Sequence, residues 1–526
     1  MKKTPQEVWS EYQSGIDYHT QIDIYETVEM NQKFVNGDQW GGVLAPDIEK
    51  PVVNVLAPAV EWYNAMLVSD DIAISCDLDE VTTGNPVQDN ANKLNNQAME
   101  SIVIKSIEDI FEQTKYKQKL RLFCRNASID GGAYKHWWFN TKKNTDKEYK
   151  GCVDVEIIDN VNVIFGNPAD TDEQAQPYII LAAKLPTDQV KEMAKKHATE
   201  IHEDWDDMTN LEEGARTQAK YTTVLTRFWK EDGIVWFCKS TQNVELKSPT
   251  SLGVKLYPIS KMNWKTLKNA YQGVSKISEV IPNQIMINKA YMMMNEFTKK
   301  MAFPKIIYNK MLIEGWSNKV EALGVDGDPR DSVVSVTPTV SFNDQLLVYV
   351  DKLIAETKQT LGLQDVSLGN VNPENTSAII ALQKTAAQPL ELQRLELYSS
   401  IEQDVRIIVE LMATNYGVRP VQIETEQGGG QIMFDFADLS WEAFKMNVEV
   451  GQAYYWSNVT QVQTLDNMYR QGIIPNAITY LEQLPNGTVK NRDEIIKAVM
   501  AQQEMVQQQQ MAQQPQVPKA PGLPVV

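Results

Sequence analysis

The stretch GVSKISEVIPNQIMINKAYMMMNEFTKKMAFP, residues 273–304, decides how the rest of the chain is organised. From Pro282 to Ala302 apolar side chains recur at helical spacing, which predicts one helix of about 20 residues and roughly 30 Å. Pro282 fits the first turn of that helix, because the N–H that proline lacks has no intrahelical partner there. Pro304 is the next proline and marks the end of the helical pattern.

A second helix follows a compact, mixed stretch that ends at Val340. Ser341 is its predicted N-cap, and Gly362 is its predicted end. One apolar stripe runs along it, formed by Leu346, Val350, Leu353, Ile354 and Leu361. The sequence Gly-Val-Asp-Gly-Asp-Pro at 324–329 predicts a loop between the two helices. The pattern therefore predicts a helical hairpin with a small module at its tip.

The order of these segments resembles that of the portal proteins of tailed bacteriophages. The residues that match the stem-helix signature of that family are Gly273, Ser275, Pro282, Gln284, Asn288 and Pro304. Three further stretches are similar to parts of the family. Residues 34–40 are similar to an early portal motif, residues 157–168 to the wing, and residues 468–475 to the crown. A Gly/Asn/Pro loop over Gly369–Asn375 and a very long helix follow the second stem helix, again in the order of the family.

The resemblance implies an α+β, mainly α fold with a wing, a stem helix hairpin, a clip and a helical crown. The implied divisions are a wing of N-terminal helices and antiparallel sheet over 1–272, a first stem helix over 273–303, a clip over 304–340, a second stem helix over 341–364, a channel (tunnel) loop over 365–376, a long kinked helix with the remaining wing strands over 377–450, a crown over 451–505, and a Gln/Pro-rich disordered tail over 506–526.

Periodicity outside the hairpin predicts helices and a mostly antiparallel sheet. The predicted helices cover 4–35, 52–68, about 89–129, a segment from Thr187, and about 376–416 with a kink at Pro389. The predicted strands cover 133–139, 153–158, 178–183, 222–229, 234–239 and 253–259. A hairpin over 421–436 and a strand over 444–450 are expected to complete the wing sheet. Trp40, in the early motif, is expected to anchor on a neighbouring surface, with ligand stacking as the alternative.

Charge and composition narrow the class of protein. The chain has 526 residues and a formal net charge of −19, which argues against holding nucleic acid by bulk attraction. No apolar run approaches the ~18 residues of a membrane span, so no membrane partner is expected. The four cysteines have no paired short spacing, which favours thiols in a reducing cytoplasm: Cys76, Cys124, Cys152 and Cys238.

The common catalytic motifs are missing from the sequence. It contains no G-x-x-x-x-G-K-[ST] phosphate loop, H-E-x-x-H or G-x-S-x-G, so we expect no enzyme, no catalytic residue and no cofactor. His197 and His202 lie five residues apart among acidic residues, whereas two zinc ligands on one helix usually lie four apart. A solvated acidic surface is therefore predicted there, and no metal site. An acid/base pair without a motif stays open as an alternative.

Candidate site residues follow from the resemblance. The DNA-channel candidates are the stem lysines and the loop residues: Lys289, Lys300, Leu368, Gly369, Asn370, Asn372 and Asn375. Sparse basic positions suit a conduit, because each neutralised phosphate strengthens DNA binding. The alternative for each lysine is an ordinary solvated helix face. The clip candidates for partner binding are Lys305, Trp316, Asp326 and Arg330, and a clip-core role is the alternative for Trp316.

The resemblance also implies a function. Portal subunits form a ring, of twelve copies in that family, at one capsid vertex, and the ring is the channel for packaging and ejection of double-stranded DNA. The implied partners are other copies of the chain, double-stranded DNA, the terminase large subunit, the head–tail adaptor, and the major capsid and scaffold proteins. The implied location is the virion, and the host cytoplasm during assembly. The alternatives are another ring or scaffold component of a virion, and a cytoplasmic enzyme with an unrecognised acid/base site.

Overall fold

The computed structural model describes residues 2–44, 48–68, 72–78, 86–143, 149–194, 197, 201, 221–302, 305–308, 311, 333–336, 344–363, 388–425, 428–439, 444–450, 462, 464–471, 474 and 480–481. The chain divides into two compact units. The larger consists of residues 1–69 and 74–448, and the smaller of residues 70–73 and 449–526. The fold is α+β and mainly helical.

Five helices precede the first large sheet: α1 (Pro5–Gln21), α2 (Ile24–Asn36), α3 (Leu56–Leu67), α4 (Pro86–Thr114) and α5 (Tyr116–Asp130). The predicted single helix over 4–35 is wrong, because Asp23 has a φ of 52° and divides it into α1 and α2. Lys115 also has a φ of 52° and divides the predicted helix over 89–129 into α4 and α5. Left-handed backbone interrupts the helical hydrogen bonds at both positions.

Two antiparallel sheets form the body of the larger unit. The three-stranded sheet has the order β3-β2-β9 and consists of β2 (Gly132–Asn140), β3 (Cys152–Asp159) and β9 (Ile259–Asn263). The five-stranded sheet runs in sequence order through β4 (Val163–Phe165), β5 (Tyr178–Pro186), β6 (Tyr221–Glu231), β7 (Ile234–Ser240) and β8 (Glu245–Ser251). Helix α6 (Thr187–Ala194) follows β5, as predicted. The apolar face of α1 packs on the five-stranded sheet, where Val8 is buried with Ile164, Leu225 and Trp229.

The predicted strand over 253–259 is wrong. Strands β8 and β9 flank this segment instead, and Gly253 has a φ of 72°. The Glu410 carboxylate accepts hydrogen bonds from the backbone N–H groups of Lys255, at 2.5 Å, and Leu256, at 2.9 Å. A distant side chain thus satisfies backbone donors that a strand would pair with its neighbour.

The helical hairpin predicted from the sequence is present. Helix α7 (Lys276–Ala302) leads to β10 (Lys305–Tyr308), which pairs antiparallel with β11 (Val333–Val336). Helix α8 (Asp344–Leu361) follows, and it packs against α7. Gly362 ends α8 with a φ of 80°, as predicted, whereas Ser341 lies outside the described residues.

The predicted place of Pro282 in the helix is wrong. Helix α7 begins at Lys276 and continues through Pro282, which is therefore an interior residue. The start is set by Ser275, whose Oγ accepts a hydrogen bond from the N–H of Ile277 at 3.0 Å. A serine cap at this earlier position satisfies a first-turn donor, so the helix has no need to begin at the proline.

Of the helix predicted over about 376–416, the structure describes α9 (Glu391–Asn415), preceded by a 3-10 turn over Gln388–Leu390 that contains Pro389. The predicted kink falls at this change of helix type, and residues 377–387 lie outside the described residues. Among the described residues, strands β12 (Val418–Thr425) and β13 (Gly428–Asp435) pair with each other, and β1 (Ile72–Leu78) pairs with β14 (Phe444–Val450). In that part of the chain these strands form two separate two-stranded sheets, so the expectation that they complete the larger sheet is wrong there.

The described part of the smaller unit has a core of its own. Leu465 and Ile474 are buried and pack with Val462, Tyr480 and Leu481. The Tyr480 hydroxyl donates a hydrogen bond to Asp466. Across both units, none of the described helices is long and apolar enough to cross a lipid bilayer.

Candidate functional site

Helix α7 is anchored at its N-terminal end by hydrogen bonds to α5 and α2. The Ser275 hydroxyl donates to the carbonyl of Ser128 at 2.5 Å. Asn31, which is buried on α2, donates to the carbonyl of Ile129 at 2.7 Å and to the Ser278 hydroxyl at 2.9 Å. These bonds join three helices at the point where the hairpin leaves the body. The first turns of α7 are therefore part of the rigid core.

The amides of Gln284 and Asn288 hold an extended segment of the chain against α7. The two residues lie four apart, on one face of the helix, and both are buried. Gln284 donates to the carbonyl of Val53 at 2.7 Å and accepts from the N–H of Val55 at 3.1 Å. Asn288 accepts from the N–H of Val53 at 3.1 Å. The two side chains thus take the place of a neighbouring strand for residues 53–55.

The same network reaches the early sequence motif. Asn288 donates to the Gln39 side chain at 2.6 Å, and Gln39 donates to the carbonyl of Phe34 at 2.7 Å. The Trp40 indole N–H donates to the carbonyl of Pro51 at 2.9 Å. Trp40 therefore anchors on a neighbouring surface, as predicted. Two motifs that lie about 240 residues apart in sequence form one structural joint at the root of the hairpin.

A groove of about 500 Å³ lies beside this joint. Helix α2, the turn after it and helix α7 form its walls, and Met30, Phe34, Trp40 and Ile285 line it. Lys289 also lines the groove and is exposed to solvent. Of the DNA-channel candidates, Lys289 is the one whose side chain the structure describes.

The other predicted site residues are distributed as follows. Lys300 belongs to α7, and Lys305 begins β10. The remaining candidates lie outside the described residues: Leu368, Gly369, Asn370, Asn372, Asn375, Trp316, Asp326 and Arg330. The structure therefore places Lys289 at the root of the hairpin and Lys305 in its strand pair. The positions of the other candidate residues stay predictions.

Sequence reasoning missed a buried charged cluster in the body. Lys135 on β2 and Asp404 on α9 form an ion pair, and both side chains have 0% exposure. The Asp404 carboxylate also accepts hydrogen bonds from Tyr116, at 2.6 Å, from Trp137, at 2.7 Å, and from Ser260. The cluster therefore joins α5, α9 and two strands of the three-stranded sheet. One signal was present: Asp404 interrupts the apolar face of its helix next to Ile401 and Val405.

The chemistry of this cluster is structural. Burial lowers the pKa of Lys135, and the negative charge of Asp404 opposes that change. Burial, and then the charge of Asp404, raise the pKa of Tyr116 well above its ordinary value, so its hydroxyl remains a donor. Because the ion pair is fully enclosed, a substrate has no access to it. This pair therefore does not supply the acid/base site that the sequence left open.

In the part of the chain that the structure describes, no group of three His, Cys, Asp or Glu side chains could hold a metal ion. His202 and most of the acidic residues after it lie outside that part. Burial raises the pKa of Cys124 to about 12 and that of Cys238 to about 11, so both remain unreactive thiols at neutral pH.

Models of known protein families do not match this chain, and neither do the curated proteins.

Asn288→Ala is expected to lower the free energy of unfolding by about 2 kcal/mol, because the Val53 N–H loses its acceptor and the Gln39 side-chain oxygen loses its donor. The control is Asn295→Ala on the same helix, which removes only a surface hydrogen bond to Glu49 and should cost about 0.5 kcal/mol or less. Urea denaturation at one protein concentration measures both. Equal losses in the two variants would show that the amide network contributes nothing specific.

Proposed function

We propose that this chain is a portal subunit of a tailed bacteriophage. In this proposal it assembles into a ring at one capsid vertex, and the ring forms the channel for packaging and ejection of double-stranded DNA. The observation that carries the proposal is the packing of α7 against α8, with the antiparallel pair β10–β11 between them in the chain. That is the order of stem, clip and stem in the resemblance.

Exposed apolar side chains on the hairpin support association between copies. On α7, Met286 is 48% exposed and Met293 is 52% exposed. On α8, Leu347, Val348 and Tyr349 follow one another and are all exposed, Val348 to 66%. A monomer would present this apolar surface to water, whereas a ring buries it against the next copy. Methionine adapts to uneven contacts, which suits a surface that twelve copies would share.

Charge along the hairpin supports a channel that DNA can pass through. Lys299 on α7 contacts Glu49 at 2.9 Å, and Lys352 on α8 contacts Glu356 at 3.7 Å. In both cases a carboxylate already offsets the lysine charge. Each unpaired lysine would occur once per subunit around a ring and would strengthen DNA binding through counterion release. Pairing of these two lysines, in a chain of net charge −19, favours movement of DNA over retention.

The proposal assigns the partners to separate surfaces. The channel loop over 365–376 and the stem lysines Lys289 and Lys300 face DNA. The clip over 304–340, with Lys305, Trp316, Asp326 and Arg330, meets the terminase large subunit and later the head–tail adaptor. Capsid and scaffold proteins contact the outside of the ring, in the virion and, during assembly, in the host cytoplasm.

Replacing residues 369–375 with a Gly/Ser segment of the same length is expected to leave ring assembly intact and to abolish DNA packaging. The physical reason is that this loop contacts DNA in the proposal, whereas the helices hold the copies together. Negative-stain imaging of the purified chain measures assembly. Nuclease-protected DNA, in an infection complemented with the variant, measures packaging.

The same replacement at residues 142–148, which lie between β2 and β3 in the chain, is the matched control and should leave both readouts unchanged. Monodisperse monomers of the unmodified chain at high concentration would overturn the proposal. Rings that package normally with the loop replaced would show that the loop has no role in the channel. If the chain forms rings but DNA is packaged normally without it, another ring component of the virion would be favoured instead.

A further inference from the structure

Apolar and aromatic side chains line the groove beside the root of the hairpin. Phe34 and Trp40 are half-buried there, and Met30 and Val43 are 49% and 44% exposed. The Trp40 indole N–H already donates to the carbonyl of Pro51, so Trp40 presents its ring to the groove and not its donor. Exposed apolar surface of this kind marks a place where another chain segment can bind.

Exposed charged residues line the same groove. Lys33 and Glu29 form an ion pair at 2.5 Å, so each offsets the other. In the part of the chain that the structure describes, Glu26, Asp38 and Lys289 form no ion pair, although all three are exposed at the groove. The groove therefore offers two carboxylates to a basic group and one ammonium to an acceptor.

Prolines recur at every third position in one stretch of the sequence, the proline segment of residues 515–524, which lies outside the described residues. They are Pro515, Pro518, Pro521 and Pro524. A polyproline II helix has three residues per turn, so this spacing predicts a row of prolines along one side of such a helix. Val517, Ala520 and Leu523 would form a second, apolar row. Lys519 belongs to the third row and is the only charged residue after Glu504.

We propose that the groove binds the proline segment of a second copy of this chain. The two apolar rows pack on the aromatic and aliphatic side chains of the groove, which is how aromatic-lined grooves bind polyproline II segments. Lys519 then lies toward the carboxylates of Glu26 and Asp38. The Lys289 ammonium donates to a backbone carbonyl of the segment, because a polyproline II helix has no internal hydrogen bonds.

The groove is continuous with the surface through which copies are proposed to meet. Ile285 and Lys289 line it from α7, and Met286, the neighbour of Ile285, is 48% exposed and belongs to that surface. A segment of the next copy would therefore lie close to the groove. The choice of a second copy as the source rests on the portal proposal, whereas the chemistry of the groove does not.

A fluorescently labelled peptide of residues 513–526, titrated into the full chain and followed by anisotropy, tests the groove. The peptide should bind, and Met30→Arg should weaken binding about tenfold, because the new positive charge opposes Lys519. The matched control is Met193→Arg on α6, where the methionine is 48% exposed and does not line the groove. Both methionines are about half exposed, so both variants should fold, which thermal unfolding checks.

Two changes to the peptide test the mode of binding. A peptide of the same composition, in which the prolines no longer lie three apart, should bind at least about tenfold more weakly. Lys519→Glu in the peptide should also weaken binding, because it places a third carboxylate beside Glu26 and Asp38. A chain whose own four prolines over 515–524 are replaced by alanine should bind the normal peptide more tightly, since its own segment no longer competes.

A pair of cysteines identifies the copy that supplies the segment. When a Met30→Cys copy and an Ala520→Cys copy are expressed together, a disulfide between these positions can form only between two copies. We expect a cross-linked dimer on a non-reducing gel, and none from Met193→Cys with Ala520→Cys. The native cysteines of the described residues are buried and should not interfere: Cys124, Cys152 and Cys238.

Three results would overturn the inference: no binding of the peptide, equal binding to the Met30→Arg chain, or no cross-link between copies. Ring assembly is imaged separately. Rings without peptide binding would refute the occupant of the groove and leave the portal proposal standing. Peptide binding by a chain that remains monomeric would refute the portal proposal and the second copy as the source.

Discussion

Asp404→Ala is expected to lower the free energy of unfolding by about 3–5 kcal/mol, the cost of leaving a buried charge without its partner. Lys135 would keep its ammonium group at 0% exposure with no carboxylate beside it. Tyr116, Trp137 and Ser260 would lose their common acceptor as well. Because the cluster joins α5, α9 and the three-stranded sheet, the loss should affect the whole body of the larger unit. Urea denaturation of the purified chain at one concentration measures it.

Two controls separate the buried charge from other effects of the substitution. Asp351→Ala removes an exposed aspartate on α8 and should cost about 0.5 kcal/mol or less. The double variant Lys135→Met with Asp404→Leu removes both charges together and should recover the part of the loss that is due to the unpaired Lys135 charge. The part due to Tyr116, Trp137 and Ser260 should remain, because they still lack their acceptor. If Asp404→Ala were no worse than Asp351→Ala, the buried pair would contribute little, and the interpretation of the cluster would be wrong.

Gly273→Ala is expected to lower the free energy of unfolding by about 3 kcal/mol, the upper range for overpacking. A Cβ atom at Gly273 would lie 2.3 Å from the carbonyl oxygen of Gly131, closer than real Cβ contacts. That oxygen cannot move aside easily, since it accepts a hydrogen bond from the N–H of Trp264 at 2.9 Å. The substitution would therefore separate the start of α7 from the end of α5, where the hairpin joins the body.

The control for this prediction is Gly41→Ala. A Cβ atom there would lie 3.5 Å from its nearest neighbour, a side-chain oxygen of Asp38, which is an ordinary contact. We expect a change within about 0.5 kcal/mol, as for most surface substitutions. Thermal and urea unfolding of both variants provide the comparison. A Gly273→Ala chain as stable as the Gly41→Ala chain would mean that the two backbones separate without cost.

Local signals explain which predictions succeeded. The hairpin of α7 and α8 and the strands β2, β3 and β14 follow from periodicity. The helix breaks at Asp23 and Lys115 were missed, because neither position carries the glycine or proline that usually signals such a break. The start of α7 was misplaced, because Pro282 was a stronger local signal than Ser275.

The amino-acid sequence by itself determined the place of the hairpin, the positions of the strands β2, β3, β5, β6, β7 and β14, and the charge of the chain. These properties depend on neighbours within one or two turns, where spacing and residue type are decisive. Only the tertiary structure decided the pairing of Lys135 with Asp404 and the joint of Gln39 with Asn288. Each of these brings together residues more than 100 positions apart, and a side chain gives no sign in the sequence of the distant group that will satisfy it.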